Sequence, residues 1–109
     1  MSVFIVDLQG FQIFDHADNI TFICKEIAVL NIDTNSFDHK IFLPPYPFSD
    51  LNTRSRKNVL WLSNKYHNLK WTSGNINYNL LKNATQNMFS CDCKIYVKGA
   101  DNIKWLNNI

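Results

Sequence analysis

The chain opens on an apolar run with almost no interruption. Ser2 to Leu8 holds Val3, Phe4, Ile5, Val6 and Leu8, broken by one carboxylate, Asp7, and the run stops at Gly10. Apolar residues at odd and even positions alike mark a strand buried on both faces. Phe11 to Phe14 either prolongs that strand or leads into a polar turn from Asp15 to Asn19. A second strand is expected over Thr21 to Asp33. Alternation there puts Phe22, Cys24, Glu26 and Ala28 on one face, with Ile23, Ile27 and Val29 mostly on the other. Asp33-Thr34-Asn35-Ser36 is a strong turn signal, and Phe37 to Leu43 supplies a third strand. The three form an antiparallel meander. Pro44-Pro45-Tyr46-Pro47 stops it, because proline lacks the N–H a ladder needs and restrains the residue before it.

The period then changes. From Asp50 or Asn52, with Asn52 or Thr53 as cap, Leu51, Val59, Leu62 and Tyr66 recur at helical spacing. Tyr66 to Asn75, with His67, Trp71 and Gly74, is expected to be loop. Asn75 or Asn77 can cap a second helix carrying Ile76, Leu80, Leu81, Ala84 and Met88. Lys94 to Val97 is a fourth strand, and Gly99 turns it into a last helix with Ile103, Trp105 and Leu106. The order is β-β-β-α-α-β-α. It predicts an α/β domain over residues 1–109 whose mixed sheet has helices on its faces. Ser2–Leu8 should lie inside the sheet, antiparallel to the second strand and parallel to the fourth.

A chain of 109 residues that is 46% hydrophobic and 14% aromatic can fill one core. Its net charge of +2 is smaller than the clustered basic footprint typical of a nucleic-acid binder. The apolar start is too short for a signal peptide and lacks a basic leader. No run approaches the roughly 18 apolar residues of a membrane span. These features lead us to expect a cytoplasmic or nuclear address and no membrane partner. Three cysteines, Cys24, Cys91 and Cys93, are expected as reduced thiols, with Cys24 inside a strand. Cys91-Asp92-Cys93 reads as an ordinary passage from loop to strand, since zinc takes about four ligands. Asn19-Ile20-Thr21 and Asn83-Ala84-Thr85 match the glycosylation sequon, and without a secretory signal both are read as chance.

Few residues suggest chemistry. Asp7 either caps the turn before Gly10 or is a metal ligand at a strand tip. Glu26 is a sheet-face charge or a partner for a neighbouring Lys. His67 is expected at a loop or core edge, and His16 and His39 in solvated turns. Arg54, Arg56, Lys57 and Lys65 lie on the first helix. Its spacing puts Arg54, Lys57 and Trp61 on one side. This is a solvated basic face, or a surface for phosphates with Trp61, Tyr66 and Trp71 nearby for base stacking.

Several segments together resemble the DEDD-type 3′–5′ exonucleases, a family with the RNase H-like fold. Ile5-Val6-Asp7-Leu8-Gln9-Gly10 looks like that family's first motif, a strand ending Asp-x-Glu. Lys25 to Asp33 resembles its second strand, and Phe37 to Pro45 its third strand and proline exit. His67-Asn68-Leu69 resembles the His-Gly-Ile segment before a helix. Ile95 to Gly99 through Trp105-Leu106 resembles the strand and helix that carry the second catalytic motif. The chain also resembles uncharacterised insect and insect-virus proteins that share a Val-Asp-x-Gln-Gly-Phe start, a Pro-Pro-(Tyr/Phe)-Pro break and a Tyr-Val-Lys-Gly strand.

The first resemblance implies four carboxylates holding two divalent cations. Asp7 matches the first, Gln9 stands where the Glu belongs, and the third falls near Asn102 beside Asp101. The fourth would follow Ile109, so the domain is expected to be C-terminally truncated, which favours self-association. The expectation is thus a catalytically inactive exonuclease-like module, viral or mobile-element derived, contacting nucleic acid or a protein, with no cofactor. The alternatives are a nuclease using Mg²⁺ or Mn²⁺ in a reduced or partner-completed site, and a structural or accessory viral protein.

Overall fold

The computed structural model describes residues 2–17, 19–89 and 92–109. Three strands come first: β1 (Ser2–Phe14), β2 (Ile20–Asn31) and β3 (Ser36–Ile41). Helix α1 (Thr53–Lys65) follows a single 3₁₀ turn, and α2 (Leu81–Gln86) follows another. The chain then forms β4 (Cys93–Val97) and α3 (Ala100–Asn107). The sheet order is β3-β2-β1-β4. β1 is antiparallel to β2 and parallel to β4, and β2 is antiparallel to β3. The expected mixed sheet, element order and inner position of the first strand are all present.

Phe11–Phe14 continues β1, pairing as far as Phe14 with Ile20. The hairpin between β2 and β3 closes through Asn35 at φ 57°, a left-handed conformation that Asn tolerates. Asn52 caps α1, its side chain accepting from the Ser55 N–H at 2.8 Å. Asn77 caps the turn that leads into α2. No helix among the described residues is long and apolar enough to cross a membrane.

The facing of β2 departs from simple alternation. Gln9 pairs with Glu26 but Gly10 pairs with Cys24, so Lys25 is an extra residue at a β-bulge. The bulge reverses the sides. Phe22 and Cys24 face the same way as Ile27 and Val29, and Ile23 faces the other way. Gly10 is required here, because a Cβ would be driven into the carbonyl of Ile23.

Two cores result, one on each face and toward opposite ends of the sheet. The larger contains Phe4, Val6, Leu8, Cys24, Ile27, Val29, Phe42 and Leu81, with Trp105 of α3 packed against it. The smaller contains Phe11, Ile23, Leu51, Val59 and Trp71 beneath α1. Lys25 is fully buried between the strand exit and the 66–77 segment, where its ammonium donates to the carbonyls of Phe42 and Ser73. Burial pushes its pKa down to about 8. Gly74 lies against Phe42 at φ +126°, a position without room for a side chain.

Candidate functional site

β4 pairs only with Ser2 to Val6, less than half of β1. Beyond that point the outer edge of β1 meets side chains instead of a strand. Ser55 Oγ accepts from the Phe14 N–H at 2.9 Å, and Asn52 donates to the Phe14 carbonyl. Asn58 donates to the Gln12 carbonyl at 2.9 Å. His67 bonds the Gly10 carbonyl at 2.9 Å through Nε2. The Leu69 N–H donates to Nδ1 of the same ring at 3.0 Å, so Nε2 carries the proton. Asn52, Ser55 and Asn58 recur every three residues, which places them along one side of α1.

A cleft of about 920 Å³ lies where β4 would have continued. Its floor is the Leu8–Gln12 edge of β1, and its walls are the C-terminal half of α1 and the length of α3. Amides are concentrated there: Gln9, Gln12, Asn58, Asn102 and Asn108. Trp61, Tyr66 and Trp105 supply aromatic surface, and Lys104 and Asp101 the charge. Trp61 is 58% exposed. Asn102 is oriented by a 3.0 Å bond from its amide to the Lys98 carbonyl.

The structure thus brings Gln9, Asp101, Asn102 and Trp61 to one hollow. Asp7 is elsewhere. It lines a groove of about 480 Å³ with Ile5, Ile32, Tyr96 and Lys98. Among the described residues, no three His, Cys, Asp or Glu side chains cluster as a metal-holding group. One carboxylate in the cleft and a second in a different groove do not fit a site for two divalent cations, whose charge needs several carboxylates at hand. Cys91 lies outside the described residues, so the Cys-x-Cys passage is described only at Cys93.

The basic helix face divides in two. The Arg54 guanidinium sits 4.0 Å over the Phe14 ring, and Arg56 donates to the Ser49 carbonyl at 2.8 Å. Lys57 and Lys65 are exposed on the same stripe as Trp61. Trp71 does not belong to this surface. It is 4% exposed, packed against Phe11 and Tyr46, and its indole N–H donates to the Tyr46 carbonyl at 3.0 Å. The expectation of a stacking role for Trp71 is corrected accordingly. His39 is also relocated: it stands in β3, not a turn, and its Nε2 meets the Glu26 carboxylate at 2.8 Å. Sequence reasoning missed Gln12, Asn58 and Asn108, because isolated amides carry no motif. Compared with protein-family models, curated proteins and solved structures, the chain matches none.

Proposed function

We propose that the chain is a binding module for single-stranded nucleic acid, catalytically silent and built on an RNase H-like scaffold of the exonuclease type. The observation that carries this reading is the cleft at the end of the parallel pair, where open α/β sheets hold their ligands. Exposed Trp61 and Tyr66 offer faces on which bases stack. Gln9, Gln12, Asn102 and Asn108 offer both donors and acceptors to base edges without adding charge. Lys57, Lys65 and Lys104 lie on the helices that wall the cleft and supply phosphate contacts. Silence is supported by the amide at Gln9 and by the separation of Asp7 from Asp101.

Titration of the chain with a labelled single strand tests the reading. Binding should weaken at least tenfold in Trp61→Ala and in Lys57→Ala/Lys65→Ala, and should fall steeply with added salt. The strand should stay intact in Mg²⁺ or Mn²⁺. Absence of binding at low salt would remove the nucleic-acid reading. Cleavage that disappears in Asp101→Asn would replace silence by catalysis.

A further inference from the structure

Two exposed aromatic rings rim the cleft, and they are held in different ways. Trp61 stands within α1, where the helical backbone fixes the direction of its side chain. Tyr66 stands just past the helix end, at φ −122° and ψ −77°, outside helical geometry. It is 66% exposed, and among the described residues its side chain makes no hydrogen bond. The ring it meets is that of His67, with centroids 5.9 Å apart. An aromatic side chain free to move gives up that freedom on binding, and the loss weakens the contact.

His67 removes much of that freedom. Its ring packs edge to face against Phe11 of the smaller core, with centroids 5.0 Å apart. Nε2 donates to the Gly10 carbonyl on the cleft floor at 2.9 Å, and Nδ1 accepts from the Leu69 N–H at 3.0 Å. The N–H groups of Tyr66 and His67 both donate to the Leu62 carbonyl. The chain then reverses through Asn68 at φ 60°, a conformation that Asn tolerates. Residues 66–69 are thus pinned twice, to α1 through Leu62 and to β1 through the imidazole.

We propose that His67 is a positioning residue of the cleft: by tying the 66–69 turn to β1 it presents the Tyr66 ring as a fixed face for a base. The inference rests on the single-strand reading given above. His67 acts through Tyr66 and not through Trp61, which the helix holds by itself. Both ring nitrogens are engaged by backbone groups, so the imidazole has none left to move a proton, in keeping with a silent site. Of its two bonds the one to Gly10 sets the position of Tyr66, because it joins the turn to the cleft floor. The Leu69 bond stays within the turn. A glutamine can repeat the first, since its amide nitrogen reaches as far as Nε2 and donates. An asparagine can repeat only the second, because it accepts where Nδ1 does but is too short to reach Gly10.

Two measurements on the full chain test this. Amide NMR relaxation of the free protein reports order at 66–69. Order parameters near ~0.85 are expected for the wild type and His67→Gln, and below ~0.6 for His67→Asn. In titrations with a labelled single strand, His67→Gln should bind like the wild type. His67→Asn should weaken binding by about fivefold or more, the effect of one lost stacking face. In the Tyr66→Ala background the same change should add less than about twofold, whereas in the Trp61→Ala background its full effect should persist. A general loosening of the fold would weaken both backgrounds alike. Equal order in all three chains, or an effect of His67→Asn that adds fully to that of Tyr66→Ala, would overturn the inference and leave the single-strand reading standing. Absence of binding by the wild type at low salt would remove that reading and the inference with it.

Discussion

Lys25 holds Phe42 twice. Its backbone carbonyl accepts from the Phe42 N–H at 2.8 Å, and its ammonium donates to the Phe42 carbonyl at 2.5 Å. The extra residue of the bulge thus fixes the point where the meander ends and the proline segment begins. The same ammonium reaches Ser73, so one buried charge ties β2 to the loop beneath Trp71.

That charge gives stability a defined pH dependence. In the folded chain Lys25 releases its proton near 8, against 10.5 ordinarily. Between those values the unfolded chain binds more protons, so stability rises with pH. Cys24 and Tyr78 act the other way. Burial pushes both up to about 12, from 9.0 and 10.0, so the folded chain keeps protons that the unfolded chain has lost. Denaturant titrations should show stability rising by at most about 1 kcal/mol from pH 8 to 9 and falling again above 10. In Lys25→Met the rise should vanish, and the two carbonyls left unpaired should cost about 2 kcal/mol at pH 7.

Gly10→Ala should destabilise the domain by about 3 kcal/mol, because the bulge leaves no room for a methyl group against the Ile23 carbonyl. Thermal unfolding measures it. An unchanged melting temperature would mean that the two strands are not this close.

The capping of the β1 edge by side chains can be tested at Asn58. Asn58→Ala removes the donor to the Gln12 carbonyl. It should cost about 1 kcal/mol. It should also raise the rate of aggregation on mild heating, because an uncovered edge is a template for pairing. Light scattering during a temperature ramp would reveal it.

Thiol reactivity should separate two cysteines. Cys24 is fully buried with its thiol held protonated, and Cys93 is half-buried. At pH 8 an aromatic disulfide reagent should leave Cys24 untouched in the native chain and label it only after unfolding. Peptide mapping by mass spectrometry distinguishes the sites.

The strands and their order were legible because each is a dense apolar run bounded by a turn signal. Asp33 to Ser36 and the three prolines mark the ends of β2 and β3 without ambiguity. What alternation could not show was the reversal at Lys25. A lysine beside a glutamate looks like a pair of surface charges, and only pairing with β1 shows that one of them is surplus to the ladder. Trp71 escaped for a similar reason. In a loop next to Lys70 and Thr72 nothing announces that the ring is inserted beside Phe11. Of the candidate site, Gln9, Trp61, Asp101 and Asn102 were picked out as residues. That they share a hollow, and that Asp7 does not, follows from β4 stopping at Val97 while β1 runs on.

The bulge also governs how this chain can change in length. Removal of Lys25 alone would leave a regular ladder, because Glu26 and Cys24 already face the adjacent residues Gln9 and Gly10. Phe22 and Cys24 would keep the side of Ile27 and Val29, and Ile23 would stay under α1. What would go is the ammonium that holds the carbonyls of Phe42 and Ser73. A descendant lacking that residue would therefore keep both cores and lose the tie between β2 and the loop beneath Trp71.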